Sequence, residues 1–267
     1  MNQTPHTPDS IDTTVPHSAR VWNYWLGGKD NYPIDREVGE QVRSLYPRIA
    51  TDARCGRAFL VRTITHLARD QGVHQFLDIG TGLPTQQNTH EIAQACAPRA
   101  RVVYVDNDPM VLAHARALLV GTEEGATEFI DADLREPDKV LDRARETLDL
   151  TRPIGLSVIG TLGHIPSHSD ALKISRAYVD ALPSGSFLVL GDGVFPDEPE
   201  AVEALNRWNE AATLAYRAHS IADMESYFAG LDLLEPGLVP VTAWRPDGLD
   251  VGVAPETDMY GAVGRKP

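Results

Sequence analysis

The sequence predicts an α/β fold, a mostly parallel sheet with helices on both faces, preceded by an all-helical segment. Three observations predict it. Short apolar runs alternate with amphipathic stretches from about residue 75 to about residue 190, the rhythm of strand–helix–strand units. Runs such as Phe187-Leu188-Val189-Leu190 lack polar alternation, which fits strands buried on both faces. Before residue 70 the apolar residues recur only at helical spacing.

The elements follow in order. Met1 to Pro16 is rich in Thr, Pro, Asp and His and has no apolar signal core, so residues 1–17 are expected as a disordered tail. Ser18 is placed to cap a helix through Val21, Trp22, Trp25 and Leu26, which Gly27-Gly28 stops. Pro33 opens a second helix with Ile34, Val38, Val42 and Leu45 on one stripe, and Pro47 ends it. A third, over about 49–70, carries Phe59, Leu60, Ile64 and Leu67. Strands are then expected at 75–79, 101–105, 127–130, 154–159 and 186–190, with helices near 86–97, 109–119, 138–148 and 169–182 between them. Asp108 is positioned as an N-cap, with Pro109 at the first helical position. Residues 198–217 read as one amphipathic helix with Val202, Leu205, Trp208, Ala212 and Ala215 on a stripe. Ser220 caps a short helix ending at Gly230, and two strands, near 231–241 and 258–264, close the chain.

Bulk properties narrow the function classes. A chain of 267 residues with 42% hydrophobic residues can bury a sizeable core. Its net charge of -14 comes with scattered basic residues and no basic cluster, so no nucleic-acid partner is expected. Cys55 and Cys96 are far apart and no CxxC or HExxH element occurs, so no metal is expected and two buried thiols in a reducing cytoplasm are the default. No apolar run approaches the roughly 18 residues of a membrane span.

Ligands of open parallel sheets bind beyond the carboxyl ends of the strands. Asp78, Asp106, Asp133, Gly160 and Asp192 all follow predicted strands. Gly80-Thr81-Gly82 supplies a turn that lets backbone approach a ligand. A dinucleotide site would carry a third glycine, but Thr85 stands there after Pro84. Asp78, ahead of the turn, is unsuited to a pyrophosphate and suited to an ammonium or sulfonium, or else it merely caps the turn. Asp106 is placed for ribose hydroxyls, Asn107 for adenine or the helix cap, Asp133 for the adenine amino group and Leu134 for the ring. These positions point to S-adenosylmethionine. The segment 18–32, with Arg20, Trp22, Tyr24, Trp25, Lys29 and Tyr32 around a glycine pair, fits a lid, with Arg20 available to a carboxylate. The two tryptophans themselves read as packing residues. His164, in the loop Gly160-Thr161-Leu162-Gly163-His164, is a candidate base.

On these residues the chain resembles a known family. The stretch Ala19-Arg20-Val21-Trp22-Asn23-Tyr24-Trp25-Leu26-Gly27-Gly28-Lys29-Asp30-Asn31-Tyr32, with Asp78-Ile79-Gly80-Thr81-Gly82-Leu83-Pro84-Thr85, Val105-Asp106-Asn107-Asp108-Pro109 and Tyr260-Gly261-Ala262-Val263-Gly264-Arg265-Lys266, is similar to the actinobacterial S-adenosylmethionine-dependent methyltransferases once described only as a domain of unknown function. The resemblance implies a Rossmann-like class I methyltransferase fold with a seven-stranded sheet and an antiparallel last strand. It implies a helical lid over 18–70, a cofactor domain over 71–267, and cofactor contacts at Gly80, Asp106 and Asp133. Trp22 and Trp25 stand where smaller apolar residues or tyrosine are expected, and the Gly160–His164 loop is less bulky than the family's.

The expected activity is in-line methyl transfer to a small-molecule acceptor, with Arg20, Tyr24, Asp78, Gly80, Thr81, Gly82, Asp106, Asn107, Asp133 and Leu134 at the cofactor. Tyr32, His164 and Asp192 are the candidates to orient or deprotonate the acceptor. The competing readings are S-adenosylmethionine chemistry other than methyl transfer (cyclisation or aminopropyl transfer) and a non-catalytic cofactor-binding module, with a homodimer possible in either case.

Overall fold

In the computed structural model the described residues are 12–84, 87–118, 121–194, 198–212, 214–246 and 254–267. The expected tail lies largely outside them, as does Thr85. Three helices come first: α1 (Ser18–Trp25), α2 (Pro33–Leu45) and α3 (Ile49–Arg69). Then β1 (Gln75–Ile79), α4 (Thr89–Cys96), β2 (Arg101–Asp106), α5 (Pro109–Leu118), β3 (Ala126–Asp131), α6 (Pro137–Ala144), β4 (Gly155–Ile159), α7 (His168–Ala181) and β5 (Phe187–Gly193) alternate. The chain ends through α8 (Pro199–Ala211), α9 (Ile221–Tyr227), β6 (Asp232–Leu233), β7 (Val239–Pro240) and β8 (Met259–Arg265).

The sheet runs β3-β2-β1-β4-β5-β8-β6, with β7 also on β8. The pairings from β3 to β5 are parallel, and β8 runs antiparallel to β5, Val189 opposite Val263. The sheet has eight strands, not seven, because the strand expected over 231–241 divides into β6 and β7. Both pieces pair with β8.

Side-chain alternation divides the core into two layers. Leu77, Ile79, Val103, Val105, Leu188 and Leu190 face α6, α7 and α9. Phe76, Val102, Tyr104, Phe187 and Val189 face α3, through Phe59, Ile64 and Leu67. Burial of both faces explains the uninterrupted apolar runs. A third cluster joins α1, α2, the start of α3 and α8 through Val21, Trp25, Val38, Val42, Ala53, Ala204 and Trp208. The strand order reverses between β1 and β4, and the site opens at that point.

Two expected features differ in detail. The α1 cap is His17, whose side chain accepts from the Ala19 N–H, and not Ser18. The helix expected over 198–217 stops at Ala211. Beyond it the Trp208 indole donates to the Leu214 carbonyl at 3.2 Å, and Asn209 clamps both backbone groups of Tyr216, at 2.7 and 3.0 Å. Side-chain bonds to backbone here replace the helical ladder.

Candidate active site

One cavity of about 320 Å³ spans the carboxyl ends of β1 to β5 and the inner faces of α1, α2, α3 and α8. Gly80 and Gly82 line it with φ of 69° and 65°, a backbone region that favours glycine. A Cβ on Gly80 would overlap the Thr161 side chain, whereas Gly82 faces open space. Thr161 Oγ1 in turn donates to the Ile159 carbonyl at 3.0 Å, so the first turn after β1 packs directly on the first turn after β4.

Asp78, one residue before the end of β1, is only 7% exposed. It accepts from Thr89 Oγ1 at 2.6 Å. Burial raises its pKa, with Thr89 and the Arg57 guanidinium opposing. Asp106 accepts from the Gly82 N–H at 2.9 Å with one oxygen and from the Asp108 N–H at 2.9 Å with the other. Its pKa is also raised by burial. Each oxygen keeps a lone pair for a further donor. Asp133 lines the cavity but is paired with Arg135, Nε to Oδ1 at 2.9 Å, which holds its pKa low. Asn107 donates to Asp133 Oδ2 at 3.4 Å. Thr81 and Leu134 complete this lobe.

The opposite lobe is apolar. Trp22, Trp25, Leu26, Val42, Ile49, Leu60, Leu205, Trp208 and Leu214 line it. Trp22 meets Trp25 edge-on at 6.0 Å, and Trp25 lies 5.9 Å from Trp208.

Where the lobes meet stand Asp192 and His164. Asp192 is 1% exposed. It accepts from Tyr216 Oη at 2.5 Å, the Gly163 N–H at 3.1 Å and the Gly193 N–H at 3.0 Å, and His219 Nε2 lies 3.4 Å away. Burial works to raise its pKa, but His219, Tyr216 and Gly193 together bring it below the usual value. The same carboxylate and burial drive the Tyr216 phenol well above 10. His164 Nδ1 lies 3.1 Å from the Ala215 carbonyl, which can only accept, so Nδ1 carries the hydrogen. Burial lowers its pKa. Neutral His164 therefore keeps its lone pair on Nε2.

Ten of the thirteen candidates line the cavity, namely Asp78, Gly80, Thr81, Gly82, Asp106, Asn107, Asp133, Leu134, His164 and Asp192. Arg20, Tyr24 and Tyr32 do not. Arg20, 3% exposed, is held by Asp35 at 2.9 Å and donates to the carbonyls of Asp12 and Val15. Tyr24 donates to Glu40. Tyr32 lies under the Arg20 guanidinium, 5.2 Å from its ring centre, and packs on Leu83, Met110 and Val111. Sequence reasoning passed over Arg57, His17, Tyr216 and His219. Arg57 reaches the cavity beside Asp78, its cation weakened by burial and supported by Asp78. The available signal was an arginine set between the buried pairs Cys55-Gly56 and Phe59-Leu60 of one helix. His17 lines the cavity and pairs with Asp108 at 2.9 Å.

Comparison with known proteins agrees with this geometry. A family model described as S-adenosyl methyltransferase matches residues 4–267. A DUF574-family crystal structure from Streptomyces avermitilis is 43% identical, covering 96% of this chain and 100% of that one, with a TM-score of 0.91. The chain belongs to the S-adenosyl methyltransferase family. A Thermobifida fusca crystal structure carrying a provisional methyltransferase assignment is 36% identical over 98% of this chain and 99% of its own, with a TM-score of 0.87. The plantazolicin methyltransferase BpumL, 12% identical over 93% of this chain and 96% of its own, shares the fold at a TM-score of 0.53. No functionally curated protein matches. As a member of this family the chain is an S-adenosylmethionine-dependent methyltransferase with the α/β fold expected from its sequence.

The residues fit that cofactor. The open face of Gly82, the spare lone pairs of Asp106, buried Asp78 and the nearby charge of Arg57 suit a nucleoside carrying a zwitterionic amino acid. A second cluster, His168, His219 and Asp223, brings ligand-type atoms within 4.8 Å of one another. Arg217 already bridges it, 3.0 Å from Asp223 and 3.2 Å from His219, so a guanidinium fills the place of a cation. Among the described residues no helix is long and apolar enough to cross a membrane.

Proposed function

We propose that the enzyme methylates a small molecule held in the apolar lobe, with His164 as the proton acceptor. The observation that carries this reading is the cavity that joins the glycine turn, the tryptophan lobe and His164, whose Nδ1 is held by the Ala215 carbonyl. In this reading Asp106 receives the ribose hydroxyls, Asn107, Asp133 and Leu134 border the adenine, Asp78 takes the ammonium, and Arg57 takes the carboxylate that Arg20, held by Asp35, does not reach. S-adenosylmethionine supplies an electrophilic methyl group on a sulfonium. The protein's part is alignment and exclusion of water.

Asp192 acts as a positioning residue. It ties the Gly163 N–H to Tyr216 and so fixes the loop that presents His164. The lid of this reading is α1 and α2, because α3 belongs to the sheet's own core. The location proposed is the cytoplasm, with Cys55 and Cys96 as free thiols, Cys55 buried as expected and Cys96, at the end of α4, exposed instead.

Calorimetric titration with S-adenosylhomocysteine tests the reading. Wild type binds, and Asp106→Ala weakens binding at least about tenfold, the worth of one hydrogen bond to a charged group. Equal binding by the two proteins would remove Asp106 from the site.

A further inference from the structure

Resting on the methyltransferase reading above, we propose that the acceptor is an uncharged, ring-bearing molecule with a phenol-type hydroxyl. The ring lies between α1 and α8 against Trp22, Leu26 and Leu205, and the hydroxyl faces His164 Nε2.

Three observations lead to this class. The first is the lobe's chemistry. Trp22, Leu26 and Leu205 line the cavity and are each only partly buried, so they retain apolar surface for a ligand. Flat aromatic walls favour rings, through offset or edge-on contact.

The second is charge. The cavity is lined by six carboxylates, those of Asp52, Asp78, Asp106, Asp133, Asp192 and Asp258, against the guanidiniums of Arg57 and Arg135. Among the described residues, an anion entering the apolar lobe would meet no cationic side chain lining it and an excess of negative charge around it. A cationic acceptor is no better served. The two acids bordering the lobe are engaged, Asp52 by Tyr46 at 2.7 Å and Thr257 at 2.7 Å, and Asp258 by Tyr46 and by Arg48 at 3.1 Å.

The third is the base. A neutral amine needs no deprotonation before it attacks a sulfonium methyl, whereas a hydroxyl does. A neutral imidazole, its Nδ1 held by the Ala215 carbonyl and its ring set edge-on to Tyr216 at 5.3 Å, can take up a phenolic proton as the new bond to oxygen forms. In the reaction the acceptor oxygen's lone pair forms the new O–CH₃ bond. The S–CH₃ bonding pair stays on sulfur, which becomes a neutral thioether, and the hydroxyl proton passes to Nε2.

The test titrates the protein, saturated with S-adenosylhomocysteine, with 2-naphthol and with 2-naphthoate. It is repeated for Leu205→Gln and Leu26→Gln, and each protein is also titrated with S-adenosylhomocysteine alone. The expected result is binding of 2-naphthol, with 2-naphthoate at least about tenfold weaker. Each substitution should weaken 2-naphthol at least about tenfold and leave the nucleoside affinity unchanged, which also shows the variant folded. With S-adenosylmethionine present, 2-naphthol should gain one methyl group by mass. His164→Gln should lose that gain while keeping its S-adenosylhomocysteine affinity. Equal binding of the carboxylate, wild-type 2-naphthol affinity in both leucine variants, or bound 2-naphthol that is never methylated would overturn the acceptor class. Failure of wild type to bind S-adenosylhomocysteine would instead overturn the cofactor site on which the proposal stands.

Discussion

At the scale of single residues, titration gives the sharpest expectations. His164 has a pKa below the ordinary 6.5 because it is desolvated. It loses its base form only when pH falls through that lower value, so the acid limb of kcat/KM is expected below pH 6.5. His164→Gln should remove the limb and lower kcat by about 100- to 10,000-fold. Between the folded and unfolded pKa values the unfolded state holds more protons, so His164 also contributes stability that is complete above 6.5 and fades as pH drops toward the folded value. Asp192 behaves similarly for another reason. Its donors outweigh burial, so its stabilisation is present above 3.8 and lost as pH falls through its lower folded pKa. Asp192→Asn, which strands His219 and Tyr216 in the interior, should cost about 3 kcal/mol in urea denaturation. A change below about 0.5 kcal/mol, the level of an ordinary surface substitution, would mean the network carries no load. Asp78 moves the other way. Burial raises its pKa, and a cationic ligand favours its charged form. Binding should therefore release protons, and S-adenosylhomocysteine affinity should fall as pH is lowered through the raised value. Calorimetry in buffers of different ionisation enthalpy measures that release directly.

At the scale of elements, the same turns and caps that made the fold legible also mark where it was not. The β1 turn was readable because an acid, two glycines and an apolar run are local signals, and the structure gives Gly80 a φ of 69° against Thr161. Gly80→Ala meets both obstacles, left-handed backbone strain of about 1–2 kcal/mol and a clash with Thr161. It should destabilise the protein and abolish nucleoside binding, and a variant that bound normally would show that the turn relaxes. The end of α8 was not readable. Its apolar stripe continues to Ala215, but Asn209 and Trp208 capture the backbone beyond Ala212, and Asp192 captures Tyr216 from a strand remote in sequence. Helical periodicity carries no trace of such partners. The lid motif was legible as a motif and misleading in detail. Arg20 looked free for a ligand because Asp35 and the carbonyls of Asp12 and Val15, which enclose it, become its neighbours only when α2 and the preceding strap fold back. Arg57, in the middle of a helix that reads as packing, carried the opposite error.

At the scale of the molecule, the lobe proposed for the cofactor draws on β1, β2 and β3 while the apolar lobe proposed for the acceptor draws on α1, α2, α3 and α8, so in this reading ligand binding joins the sheet to the helical N-terminal unit. The two are already continuous through α3, whose Phe59 and Ile64 sit in the sheet's core while its first turns carry Ala53 in the cluster with α1 and α2. The physical expectation is one cooperative thermal transition, with no separate melting of the N-terminal helices. A ligand that binds only the folded state stabilises it by about 2.7 kcal/mol at 100 times its Kd. For a chain of 267 residues this raises Tm by about 5 °C, at about 2 °C per kcal/mol. Arg57→Gln separates the parts of this coupling. It keeps a polar side chain at that place in α3 but shortens it and removes the charge beside Asp78. If Arg57 receives the carboxylate of the amino-acid end, the variant should keep a single transition yet need at least about tenfold more S-adenosylhomocysteine for the same shift, the loss of one charge-assisted hydrogen bond. Adenosine, which lacks the amino-acid end, should shift wild type and variant equally. A variant shifted by S-adenosylhomocysteine as readily as wild type would return Arg57 to a packing role.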